Sequence, residues 1–423
     1  MTTQSPVLPR SAAERAALQR RTLRVLVMGQ IVGAAALASA ITVGGFVVED
    51  MIGAGTAWVG ISTAAVTAGA GIMSQVLSRI MRRYGRRPGM QLGYGLAVIG
   101  GLVTGLGAQL SILPVFLTGL LLYGAGSSTN LLARYAATDL AEPGERSRAM
   151  SRILFASTFG AVFGPALIGP AESAGESWFG LHQYAGPWLF SSLLFLCAMI
   201  NVSIRLRPDP LVISAAEEGT PQEARTLRFV DSARAIARAP LARVALMAMI
   251  GSQSVMVGIM AMAPIDMKSY GHEHVSSYIV SAHIAGMFAF SPLVGAFADR
   301  RGSLASLRVG GVVLLVANML SALAAANVPL MFVAMWALGL GWTFGLVGGS
   351  SLLITSVPAD YRVAVQGAAD LMMSVCGGLA GLGYGFLMDG AGYPMLSVIS
   401  GVATLLLFCW VLGAAPGRRS LDG

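Results

Sequence analysis

The stretch LRPDPLVISAAEEGTPQEARTLRFVDSARAIARAP, residues 206–240, decides the fold, because it is the one long polar interval in an otherwise apolar chain. Of the 423 residues, 55% are hydrophobic and 11% charged, too little polar surface for a water-soluble fold of this size. A helix needs about 20 apolar residues to cross the hydrocarbon of a bilayer. Runs of that length recur at 24–47, 56–77, 90–110, 112–136, 150–171 and 186–205 before the polar interval. They recur at 241–264, 275–298, 305–325, 329–354, 364–388 and 393–413 after it. The expected architecture is an all-α membrane protein with 12 transmembrane helices in two six-helix halves. Residues 24–205 form the first half and 241–413 the second. Residues 206–240 are the linker, and 1–23 and 414–423 are cytoplasmic tails.

Charge placement sets the orientation. With the N-terminus inside, the arginines fall in cytoplasmic loops or at cytoplasmic helix ends: Arg79, Arg82, Arg83, Arg86 and Arg87 after the second span, Arg300, Arg301 and Arg308 after the eighth. The opposite loops carry Glu49, Asp50, Glu172, Glu176, Asp266, Glu273 and Asp389, with Lys268 the sole lysine of the chain. This asymmetry predicts a multi-pass protein of a bacterial inner membrane with both termini cytoplasmic. The net charge of +8 comes in short clusters without an aromatic-rich basic face, which excludes a nucleic-acid partner. The first apolar run is too long for a signal-peptide core and reads as an uncleaved span. No GxxxxGK[ST], no HExxH and no acidic pair in a soluble domain occurs, so neither an enzyme nor ATP-driven chemistry is expected, and no cofactor.

The two halves echo each other at an offset of roughly 216 residues, which pairs Tyr84-Gly85 with Arg301-Gly302 and Gly124-Ala125-Gly126 with Gly339-Leu340-Gly341. Parallel repeats of this kind put a substrate site near the midplane, with the halves rocking about it. Gly295-Ala296-Phe297-Ala298-Asp299-Arg300-Arg301-Gly302 follows the eighth span and resembles the GxxADRxG loop signature of the major facilitator superfamily. The resemblance implies that Gly295, Asp299, Arg300 and Gly302 form a conformational latch. The first-half copy, Ser78 through Arg87, has Arg82 where that family usually has Asp. In the fifth span Gly160, Gly164, Pro165 and Gly169 resemble the GxxxGP motif of proton-coupled antiporters of the superfamily. Close helix packing and a proline kink also account for that pattern.

The seventh span carries Met256-Val257-Gly258-Ile259-Met260 and the eighth His283-Ile284-Ala285-Gly286-Met287. Spacing of four puts each pair on one helix face. Counted from the shared loop, Met256 and His283 come out on the order of 12 Å deep, with Met260 about a turn above and Met287 about a turn below. Thioether sulfur and neutral imidazole suit Cu(I), whereas Ca, Mg and Mn want oxygen ligands. Methionine is also a common filler of membrane helices. His283 weighs more, as the one histidine placed well inside a span. MxxxM followed by HxxxM resembles the CcoA-type copper importers, which supply copper for haem–copper oxidase assembly. The resemblance implies copper contacts at Met256, Met260, His283 and Met287. It adds Cys376 and Cys197 as relay thiols, otherwise buried small hydrophobes. A similar branch takes up riboflavin.

Asp370 lies about two turns into the eleventh span, costly for a carboxylate unless protonated or paired. It is a candidate for proton coupling or for an ion pair with a cytoplasmic arginine. Ser127-Ser128-Thr129-Asn130 could face a cavity or a neighbouring helix, Arg134 and Asp139 latch helices, and His272 and His274 flank Glu273 in the loop that incoming metal would meet. The reading that follows is a secondary-active copper importer. Its partners are the copper ion as substrate, the lipid bilayer and a cytoplasmic copper acceptor, and it works as a monomer. The alternative is an organic-solute carrier, importing riboflavin or exporting drugs.

Overall fold

The computed structural model describes residues 9, 11–52, 61–182, 184–218, 229–272 and 275–414. Long apolar runs with few helix breakers become helices of nearly their predicted extent: α1 (Ala12–Ile52), α2 (Ile61–Tyr84), α3 (Arg86–Gln109) and α4 (Leu113–Ala136). The fifth run is broken into α5 (Arg146–Ala166) and α6 (Ile168–Phe179), two residues beyond Pro165, and α7 (Ala185–Arg205) completes the first six spans. The eighth run is likewise split, into α11 (Ser276–Phe288) and α12 (Ser291–Arg301), with Pro292 in the first turn of α12. Between these lies α10 (Pro240–Ser269), and after them α13 (Ser303–Ala324) and α14 (Val328–Thr355). The last two runs form α15 (Arg362–Ala414), bent at Gly392, where φ is +74°, so that its two limbs are spans eleven and twelve.

The first helix starts at Ala12, inside the stretch read as a tail, because Ala, Glu, Leu, Gln and Arg there are strong helix formers. The polar interval contains α8 (Pro210–Glu217) and α9 (Phe229–Arg238). Asp209 starts α8 by accepting from the amides of Leu211 and Val212, with Pro210 at the first helical position.

Among the described residues, 10 helices are long and apolar enough to cross a membrane, α15 counted once. Large apolar side chains face outward, among them Leu382, Phe386 and Leu406 on α15, as expected when lipid is the solvent. The inward faces are held by small residues. A Cβ on Gly119 would strike the backbone of α3 at Thr104 and Gly100, and one on Gly124 the backbone of α2 at Val66 and Ala70.

Contacts divide the chain into two units. The first comprises Met1–Glu142, Arg152–Leu227 and Gln366–Ser374; the second comprises Pro143–Ser151, Arg228–Val365 and Val375–Gly423. The internal repeat is visible in both. Gly85 and Gly302 start α3 and α13 with φ of +98° and +89°, and each donates its amide to the carbonyl four residues earlier, Met81 and Ala298.

Candidate functional site

The second unit contains the methionine–histidine series. His283 on α11 has no exposed surface, and its Nδ1 lies 3.0 Å from the carbonyl oxygen of Met335 on α14. A carbonyl can only accept, so Nδ1 carries the proton and Nε2 presents a lone pair. That Nε2 is buried and has no hydrogen-bond partner. Met256 is buried, and Met260 and Met287 are half-buried.

Helix α14 serves as a common ruler for the two spans. Gly339 of α14 packs against the His283 carbonyl and the Met287 amide, and Gly286 of α11 against the Trp336 carbonyl and the Leu340 amide. His283 is thus level with about Ala337, and Met287 with about Gly341, one turn on. From the other side, Gly349 and Gly345 pack against Met249 and Ser252 of α10. Continuing along the antiparallel helix brings Met256 level with about Gly341 and Met260 with about Ala337. Met260 also packs against the cluster that includes Ile259, Met335 and Leu338. The register therefore differs by a turn from the loop count: His283 shares its level with Met260, and Met256 with Met287. The two spans leave their loop unevenly, since α10 runs to Ser269 and α11 starts at Ser276.

This register depends on glycine at the α11–α14 crossing. Gly286→Val is expected to force the helices apart and cost about 1–3 kcal/mol. Gly378→Ala, which meets open space, should be neutral or stabilising by up to about 1 kcal/mol. Thermal unfolding of the purified protein in detergent checks both.

Among the described residues no three His, Cys, Asp or Glu side chains gather, so a metal here would rely on thioethers beside one imidazole. Cys376 is half-buried. Cys197 is exposed on α7, whose inward face is Ser191, Phe195, Ala198 and Val202, so it does not point into its bundle. His272 is half-buried, and Glu273 and His274 lie outside the described residues.

The same unit holds the predicted latch. Asp299 accepts from the amides of Ser147 and Arg148 at the start of α5, both at 2.9 Å, a carboxylate on a helix N-terminus. A Cβ on Gly295 would stand 2.7 Å from the Ser147 carbonyl, so glycine allows that approach. Arg300, in contrast, is exposed, and the carboxylate carries the contact.

In the first unit, Asp370 pairs with Arg134, Oδ1 to Nη2 at 2.5 Å, with side chains 2% and 1% exposed. Arg134 also donates to the Leu131 carbonyl and the Tyr135 hydroxyl. Arg86 forks onto Asp139 at 2.8 and 3.0 Å and donates to Gln366 Oε1 at 3.1 Å. Asp209, a residue that no motif singled out, accepts from the amides of Arg86 and Arg87 as well as from α8. Asn130 accepts from the Tyr94 hydroxyl and packs on Gly33, and Thr129 packs on Gly93, so these two residues bind helices together. Gly160 and Gly164 press against α1 at Ile31, Ala34, Ala35 and Ala38. Gly169 meets nothing within 4 Å and takes no part in that packing, because it lies beyond the break at Leu167. The side chain of Pro165 is not among those described.

Comparisons with known proteins agree with this architecture. A family model described as Major Facilitator Superfamily matches residues 26–278. The Bacillus subtilis protein named "Uncharacterized MFS-type transporter YdeG" is 34% identical over 399 residues, which is 94% of this chain and 92% of that protein. The riboflavin transporter RfnT of Brucella anthropi is 26% identical over 405 residues, 94% of this chain and 96% of its own. Among solved structures, the proton:xylose symporter XylE bound to 6-bromo-6-deoxy-D-glucose has a TM-score of 0.74 at 14% identity, covering 95% of this chain and 97% of the other. At that identity the likeness concerns the fold.

Proposed function

The chain belongs to the major facilitator superfamily and is a multi-pass membrane transporter, and from that premise we propose that it imports copper as Cu(I). The observation that carries this reading is His283: fully buried, tied by Nδ1 to a backbone carbonyl, with Nε2 unpartnered. A buried nitrogen left without a partner costs about 1–3 kcal/mol, a cost that calls for a ligand. The backbone bond fixes the tautomer and ring orientation in the manner of metal-binding histidines. Thioethers at the same two levels supply soft donors that select Cu(I) over hard cations. All four donors are neutral, so the bound ion carries a single positive charge. Two- or three-coordinate handover between the levels keeps binding weak enough for release.

In this reading the protein sits in a bacterial inner membrane with both termini in the cytoplasm, and its arginine-rich loops support that orientation. It works by alternating access, as a monomer, and hands copper to a cytoplasmic acceptor. Cys376 is a thiol available for that inward step.

A second reading rests on a specific observation, the likeness along nearly the whole chain to a protein named a riboflavin transporter. An organic solute would make Asp370 important and the methionines dispensable. Uptake of radioactive copper and of riboflavin by cells lacking the protein, complemented with variants, separates the two. His283→Ala and the Met256→Leu/Met260→Leu pair are expected to lower copper uptake at least tenfold with expression unchanged. Unchanged copper uptake in both, or a riboflavin defect in the deletion strain, removes the copper reading.

A further inference from the structure

A second cluster of unpartnered groups lies at the end of the second unit where α10 runs out and α13 gives way to α14. It contains only oxygen donors. Asp266 on α10, Asn318 and Ser321 on α13, and Tyr393 and Ser397 on α15 are all buried, none more than 4% exposed. The Tyr393 hydroxyl donates to the sulfur of Met331 at 3.8 Å. Its near neighbours are the hydroxyls of Ser321 and Ser397 and the carboxylate of Asp266. Asn318 sits one turn from Ser321, and its Cβ lies against Gly401, one turn from Ser397, so the two helices run side by side here. The Asn318 amide nitrogen is used on the Leu314 carbonyl at 2.8 Å, which leaves its oxygen for another partner.

Asp266 Oδ2 and Asn318 Oδ1 are buried without a hydrogen-bond partner, and the buried hydroxyls of Ser321 and Ser397 have none beyond the Tyr393 hydroxyl beside them. One such atom is unremarkable in a protein of this size. Several on three helices around one tyrosine call for a common ligand. Among the described residues no cation is placed to serve. Lys268 is exposed, two residues along α10 and so on another face. Among the described residues α14 has no charged side chain, Arg308 stands at the far end of α13, and Asp389 on α15 is an exposed anion.

We propose that this cluster binds a single alkali cation of sodium size, held by Asp266, Asn318, Ser321, Ser397 and the Tyr393 hydroxyl. The donor chemistry decides the class. Carboxylate, amide and hydroxyl oxygens are hard donors, so Cu(I) is not favoured here. One carboxylate neutralises a monovalent ion, whereas a divalent ion would keep a net positive charge in a low-dielectric site. A proton would neutralise Asp266 but satisfy a single acceptor, leaving the other oxygens unpartnered. The site belongs to the second unit, and a cation bound there would be a coupling ion for transport. The binding itself does not depend on which solute is carried.

The test is equilibrium binding of radioactive sodium to the purified full-length protein in detergent. Saturable binding displaced by unlabelled sodium but not by choline is expected. Asp266→Asn should abolish it, and Ser321→Ala and Ser397→Ala should each weaken it about tenfold while the gel-filtration profile stays that of the native protein. His283→Ala should bind sodium as the native protein does, which separates this site from the copper reading. The serine variants keep the test decisive should Asp266→Asn fail to fold. Absence of saturable sodium binding, a carboxylate that titrates without competition from sodium, or native affinity in both serine variants overturns the proposal.

Discussion

Replacing Arg134 with alanine is expected to destabilise the protein by about 3–5 kcal/mol, while replacing Arg134 and Asp370 together with leucine recovers most of that loss. The reason is the asymmetry between breaking and removing a buried pair. Asp370 and Arg134 are almost fully buried and meet at 2.5 Å, so alanine at 134 leaves a carboxylate without its countercharge in a low-dielectric site. Oδ2 of Asp370 already lacks a partner, so little remains to compensate for the lost guanidinium. Removing both charges deletes the desolvation cost along with the attraction. Thermal unfolding of the single and double variants measures the difference. A single variant within about 1 kcal/mol of the native protein would mean that water or another cation reaches Asp370. Asp370→Asn separates structure from transport. If Asp370 exchanges a proton during the cycle, this variant keeps solute exchange but loses accumulation against a gradient. Loss of both would confine Asp370 to holding helices.

The spans were legible because each is a run of about 20 apolar residues, and lipid demands that period wherever a helix crosses. Two of their interruptions were legible too, since Pro165 predicts the break at Leu167 and the gap between the runs 364–388 and 393–413 holds Gly392, where α15 bends. The split of the eighth run between Phe288 and Ser291 was not, because it lies inside one apolar stretch. In the candidate site, His283 stood out by its chemistry, but its anchor is a backbone carbonyl, and a carbonyl has no residue signature. The depth count failed by a turn because it took both helices to leave the loop at one height. The crossings at Gly286, Gly339, Gly345 and Gly349 are what set the register. Arg134 and Asp370 were each noted, yet their pairing spans 236 residues and follows from tertiary packing. Asp266 and Tyr393 belong to no motif; burial marks both, and a carboxylate oxygen without a partner marks Asp266.

Asp139→Ala is expected to have an effect of similar size, about 3–5 kcal/mol, since it strands the guanidinium of Arg86. Arg86 has no exposed side-chain surface, and its fork onto Asp139 is bidentate, the geometry in which guanidinium and carboxylate interact most strongly. Gln366 Oε1 stays as an acceptor but brings no charge. Asp209 holds only the backbone amides at this helix start, so it cannot take over the side chain. A double-mutant cycle between Arg86 and Asp139 should give a coupling energy toward the upper end of about 0.5–3 kcal/mol. The exposed pair Arg15–Glu217 is the internal comparison, at a similar distance of 3.0 Å but with side chains 30% and 26% exposed. Its cycle should give less than about 1 kcal/mol and fade with salt. If the two cycles give equal values, burial does not set the strength of these contacts, and the arginine after Gly85 is a surface charge that happens to be covered. A large difference assigns the loop between α2 and α3 a holding role that it performs without the aspartate that Arg82 replaces.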